Sequence, residues 1–180
     1  MSTANQLLTR QHGGGRFGRY GPRAGGCSSG MLSSDQLGQI VGSVAAADYW
    51  RSIVRFTTHE RWFRRLALTD DYEIWLLSWL PGQRTGFHDH GDAAGAFAVA
   101  AGDLRESLAS PGRTAVRVRT AAAGSVTRFG RRHVHDVANV SAGRAVSVHA
   151  YSPPLTAMRR YELTAAGLAL VRTDVAELDW

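Results

Sequence analysis

From Tyr72 onward the chain is a succession of short runs of apolar, aromatic and β-branched residues, cut at near-regular intervals by turn signals. The turns are Pro81-Gly82, Ala101-Gly102-Asp103, Pro111-Gly112, Gly124 and Ala142-Gly143. Runs this short, bounded by Gly and Pro, read as strands rather than helices. The candidate strands are 72–80, 95–101, 104–109, 114–119, 125–129, 133–137, 144–151 and 158–163. Strands in this number and spacing restrict the fold to an all-β sandwich or barrel, and a jelly-roll barrel limits open sheet edges. No period of about 20–50 residues recurs, which excludes repeat architectures.

Upstream the pattern is helical. Ser33 or Ser34 can cap a helix beginning near Asp35, whose carboxylate suits the positive helix end. Leu37, Ile40 and Val41 follow with helical spacing, and a second helical segment is expected over 46–56, carrying Tyr49, Trp50, Ile53 and Val54. Residues 33–66 therefore read as helical, packed outside a barrel of about 70–165, and 168–180 is expected to cover a barrel end. Residues 1–32, with Gly13-Gly14-Gly15, Gly25-Gly26 and scattered arginines, read as a disordered basic tail. Of the 180 residues, 33–180 then form a single domain.

Composition narrows the function classes. No run approaches the roughly 18 apolar residues of a membrane span, and the start lacks the pattern of a secretory signal. The one cysteine, Cys27, cannot form an internal disulfide and fits a cytoplasmic protein. The net charge is +6 and all 21 basic residues are Arg, but they are scattered and no helix-turn-helix, RNP or zinc-finger pattern accompanies them. A solvated basic surface is expected, without nucleic-acid or membrane partners, on a monomer.

The chemistry concentrates in the histidines. His88 and His90 lie two apart in an extended stretch, so both imidazoles share one face and can serve one metal ion. A third ligand must come from another strand, and His133 and His135 in 133–137 both qualify. His59, in the polar Thr57-Thr58-His59-Glu60 connection, reads as a surface residue.

Two stretches resemble the cupin motifs. Gly82, five residues, His88-x-His90, four residues, position 95, six residues and Gly102 match motif one throughout. Gly124 leading to His135 and then Asn139 resembles motif two, with Gly130 and Arg132 at its inner Pro and Gly positions. The resemblance implies a cupin jelly roll and selects His135 as the third ligand, leaving His133 at the rim or surface. Many cupins place Glu where this chain has Gly95, so three neutral imidazoles remain and a thiolate suits the open positions.

A three-histidine cupin with HDHG, VHDVAN and SVHAYSPP resembles the thiol dioxygenases, cysteine dioxygenase above all, over about 62–163. The resemblance implies an iron(II) enzyme that converts L-cysteine and dioxygen to cysteine sulfinate. It also implies a hydrogen-bonded Ser147, His149 and Tyr151 beside the metal, and a cis bond between Ser152 and Pro153. In that family an Arg within Tyr-x-Arg-x-Leu holds the substrate carboxylate; Trp62-Phe63-Arg64-Arg65-Leu66 aligns Arg64 with it, Arg65 being adjacent. Mammalian members crosslink the active-site Tyr to a Cys at the position of Gly95; here no crosslink is implied, and Tyr151 is expected free to move and titrate. Two further readings stay open, a dioxygenase for 3-mercaptopropionate or another small thiol, and a non-catalytic cupin that binds a small ligand. Zn and Cu bind such nitrogen sites more tightly than Fe(II), so the motifs alone leave the metal open.

Overall fold

Ser33 caps the first helix, α1 (Ser34–Ala46), by a reciprocal arrangement: its hydroxyl accepts the Gln36 N–H while the Gln36 side chain accepts the Ser33 N–H. The structure, a computed structural model, describes residues 30–175. Cys27 and nearly all of the expected basic tail lie outside the described residues. A single helical turn, α2 (Trp50–Ile53), follows α1.

The strands are β1 (Phe63–Leu68), β2 (Glu73–Trp79), β3 (Phe87–His88), β4 (Ala94–Ala101), β5 (Asp103–Ala109) and β6 (Arg117–Ala122). They continue with β7 (Val126–Phe129), β8 (Val134–Ala138), β9 (Ala145–Ser152), β10 (Ala157–Thr164) and β11 (Gly167–Val175). One sheet has the order β1-β2-β9-β4-β7 and the other β11-β10-β3-β8-β5-β6, all pairs antiparallel. This is the expected all-β jelly roll of the cupin type.

β2 and β9 are buried along their whole length because the first sheet is covered on both faces. Trp75, Leu77, Trp79, Phe97, Val99, Phe129 and Tyr151 face the second sheet. Ile74, Leu76, Ala96, Ala98, Val146, Val148 and Ala150 face outward, onto Leu37 and Val41 of α1 and onto Trp50. The small side chains of Ala96, Ala98 and Ala150 admit the helix. Leu37 and Val41 are fully buried, a contribution of about 1.5–3 kcal/mol each. At the β4–β5 turn Gly102 has φ 69°, and a Cβ there would stand 2.4 Å from the Arg144 carbonyl oxygen, so this motif position requires glycine.

Several expectations are corrected. The helical segment 33–66 ends at Ile53, and 63–66 belongs to strand β1. A register shift between Arg65 and Ala67 breaks the alternation of β1, which is why its apolar spacing imitates a helix. The second helix shrinks to one turn because the chain becomes extended at Val54. β6 starts at 117 rather than 114, and 168–175 forms edge strand β11, paired with β10. Both are largely exposed, so no apolar periodicity marks their ends.

Candidate metal centre and cavity

His88 of β3 and His135 of β8 are direct cross-strand partners and share a face. His90, two residues beyond His88, stacks on Phe129 and Tyr151, with ring centroids 4.9 Å from each. The structure thus brings together the three histidines singled out by spacing. All are buried, and one ring nitrogen from each lies within 4.8 Å of the others.

Burial, and then the neighbouring histidines, hold His88 and His90 well below the ordinary imidazole range. His135 is lowered by burial, with Glu106 acting in the opposite sense. Neutral rings are ligand-ready. His88 Nδ1 faces the Gly86 carbonyl at 2.9 Å and His135 Nδ1 faces Glu106 at 2.7 Å, so each keeps Nε2 available. Both nitrogens of His90 are buried without a hydrogen-bond partner among the described residues. A buried polar atom left so is rare. An all-nitrogen, neutral donor set with an orphaned ring fits a divalent transition metal such as iron(II).

Position 95 offers no fourth ligand, and the packing explains its glycine. A Cβ at Gly95 would lie 2.5 Å from the Phe129 ring and 3.0 Å from the Tyr151 ring. Gly95→Ala should therefore lower stability by about 1–3 kcal/mol, and the melting midpoint by roughly 3–10 °C. Parent-like melting would show that the Phe129 and Tyr151 rings yield freely.

Ser147, His149 and Tyr151 of β9 face the barrel interior, as period-two spacing requires. Ser147 Oγ lies 2.8 Å from His149 Nε2, and the Tyr151 hydroxyl lies 3.3 Å from His149 Nδ1. The chain extends to Trp79, whose indole N–H donates to Ser147 Oγ at 2.9 Å, and Phe97 stacks on the His149 ring at 5.2 Å. The peptide bond between Ser152 and Pro153 is cis. Tyr151 is less free than expected: it is buried, and burial followed by the nearby Glu73 raises its phenol above the ordinary range, keeping it protonated at neutral pH.

A cavity of about 370 Å³ adjoins His88, His135, His149 and Tyr151 and is bounded by Phe63, Trp75 and Leu77. Arg64 is not part of it. Arg64 pairs with Leu76, whose side chain faces the helices, and is itself exposed. Arg65 turns to the other face but places its guanidinium over the Trp75 ring, 5.3 Å from the centroid. The guanidinium on the cavity is that of Arg61, centred 4.6 Å over the Trp79 ring, with a buried Nε that has no partner among the described residues. Burial pulls Arg61 down to about 10, so it remains a cation at neutral pH. Arg160, the cross-strand partner of His88, also lines the cavity but is committed to Asp174 at 2.8 Å and the Thr85 carbonyl at 3.4 Å.

Sequence reading passed over Arg61, Arg160, Glu106 and two aspartates. Asp89 accepts from the Gly91 N–H and the Tyr161 hydroxyl, and Asp136 from the Gly86 N–H and Arg84, fastening each histidine strand to its neighbours. Each follows a histidine of the cluster and so occupies the opposite strand face. Glu106 was detectable as a charged residue two positions from Leu104 in an alternating strand. His133, expected at the rim or surface, is partly buried, stacked on Phe129 at 4.6 Å and bonded to Glu106 at 2.9 Å. His59 is exposed, as expected.

The family model of cysteine dioxygenase type I matches residues 33–164. No curated protein matches the sequence. Among solved structures, the protein TT1209 from Thermus thermophilus is similar with a TM-score of 0.53 and 16% identity, over 61% of this chain and 98% of that one. An uncharacterized conserved protein with a double-stranded β-helix domain from Klebsiella pneumoniae subsp. pneumoniae gives a TM-score of 0.49 and 19% identity, over 79% and 96%. A cupin superfamily protein from Desulfitobacterium hafniense gives 0.48 and 14%, over 56% and 84%. The first of these bears on fold alone.

Proposed function

Because this chain belongs to the cysteine dioxygenase type I family, a family of non-haem iron dioxygenases, we propose that it is an iron(II) thiol dioxygenase converting L-cysteine to cysteine sulfinate. The observation that carries this reading is one cavity with His88 and His135 of the three-histidine cluster on one wall and, on another, the Arg61 guanidinium, whose buried Nε has no partner among the described residues. A small thiol carboxylate has complementary ends. In the reaction both atoms of dioxygen join the sulfur, which supplies all the electrons that dioxygen takes up, so no further reductant is needed.

Bound iron(II), held by His88, His90 and His135, would supply Lewis-acid binding of the thiolate and reactivity toward dioxygen. The remaining work falls to the chain's own residues. Arg61 receives the carboxylate through parallel charge-assisted hydrogen bonds and fixes the substrate's orientation. Phe63, Trp75 and Leu77 limit water around the sulfur. Trp79, Ser147 and His149 hold the Tyr151 hydroxyl in place, where it can present a proton or hydrogen bond to the reacting end of the substrate.

Tyr151→Phe should keep the parent iron content but lose turnover by about 10–100-fold. His149→Ala should act through the same hydrogen bond, so the double variant should lose less than the two single losses summed. Parent-like turnover of Tyr151→Phe, or full additivity, would reduce Tyr151 to packing.

A second reading, a dioxygenase for 3-mercaptopropionate, has one observation in its favour. The acid bordering the cavity, Asp174, is occupied by Arg160 and Arg172, so no uncommitted carboxylate among the described residues awaits a substrate amine. Comparing kcat/KM for the two thiols on one iron-loaded preparation decides between them. Preference for L-cysteine supports the first reading, and preference for the thiol without an amine supports the second.

A further inference from the structure

Glu106 is a fully buried carboxylate on which three donors converge: His135 Nδ1 at 2.7 Å, His133 Nε2 at 2.9 Å, and Arg119 Nε on the second oxygen. Arg119 on one oxygen and the two imidazoles on the other supply the charged and polar partners that suit a buried carboxylate anion. The other two histidines have nothing comparable. His88 meets a neutral backbone carbonyl, and His90 has no partner among the described residues.

We propose that Glu106 is a positioning residue that fixes His135 with Nδ1–H turned to the carboxylate and Nε2 to the metal, making His135 the strongest electron donor of the three ligands. This rests on the metal reading above but not on the identity of the thiol. A full negative charge accepting the Nδ1–H raises the basicity of the opposite nitrogen, whereas a backbone carbonyl does so less. Arg119 and His133 orient the carboxylate from either side, so the arrangement reaches from an exposed edge strand to the metal. Glu106, His133 and His135 could by spacing hold an ion of their own. Arg119 already occupies one carboxylate oxygen, and the His135 nitrogen facing the other carries the proton, which argues against it.

The test is Glu106→Gln, which preserves shape and removes the charge. Iron(II) affinity, read by chelator competition on the folded protein, should fall about 10–100-fold. The midpoint potential of the bound iron should rise, because the less donating His135 favours the reduced metal; a purely structural role would not move it. Parent-like affinity and potential in folded Glu106→Gln would overturn the proposal, as would two metal ions bound per parent chain. Should Glu106→Gln fail to fold, Arg119→Gln and His133→Ala decide, since they keep the carboxylate and loosen it. Weaker affinity with a raised potential in either supports the proposal, and parent-like values in both overturn it. Failure to oxidise any thiol would leave these metal measurements unaffected and would count against the proposed activity alone.

Discussion

His90→Ala should fold, bind iron(II) more than about 100-fold more weakly than the parent, and show no measurable oxygenation. The bound is set by the fact that losing even an outer partner of a ligand costs about 10–100-fold in affinity, and His90 is one of the three proposed ligands. His88→Ala and His135→Ala should behave alike, while His133→Ala should still bind one iron per chain. His90 gives a second readout. Its two buried nitrogens have no partner among the described residues, and bound metal would relieve the one it takes, about 1–3 kcal/mol. Adding iron(II) or zinc should therefore raise the melting midpoint of the parent and raise that of His90→Ala much less at the same metal concentration. Retention of metal by His135→Ala with its loss from His133→Ala would reverse the ligand assignment.

Arg61→Gln should lower kcat/KM for L-cysteine by about 100-fold, mainly through KM, because hydrogen bonds to a charged group are worth about 1.5–3 kcal/mol. Arg64→Gln should behave as the parent, since that side chain is exposed on the opposite face of β1. A thiol without a carboxylate, such as cysteamine, should lose nothing from Arg61→Gln. An equal loss on cysteine and cysteamine would mean that Arg61 serves the cavity's shape, or its contact with Trp79, rather than the carboxylate. A large loss in Arg64→Gln would require a rearrangement of β1 on substrate binding.

These two predictions mark where the amino-acid pattern was legible and where it was not. His88, His90 and His135 lie on or beside short strands whose period-two geometry converts spacing into direction, and the Gly82 and Gly102 turns frame the first two. Ser147, His149 and Tyr151 were readable for the same reason. Arg61, the proposed carboxylate-binding residue, was not, because the bulge between Arg65 and Ala67 disguised a strand as a helix. On a strand, position 64 faces away from the cavity, whereas Arg61, Phe63 and Arg65 turn inward. Glu106 was hidden for a different reason. Its role comes from meeting His135 and His133 across β5 and β8, a pairing that spacing along a single strand does not reveal. Strands β6 and β11 were misplaced because they are mostly exposed and carry no buried face to impose a pattern.

The most direct test is to follow isotopically labelled dioxygen through iron-loaded protein supplied with L-cysteine, measuring oxygen consumed, sulfinate formed and label retained. Dioxygen consumed and sulfinate formed should be equal in amount, with both labelled atoms on the sulfur and no formation in His90→Ala. Absence of oxygen uptake with L-cysteine, 3-mercaptopropionate and cysteamine alike, on protein shown to carry one iron per chain, would contradict the assignment.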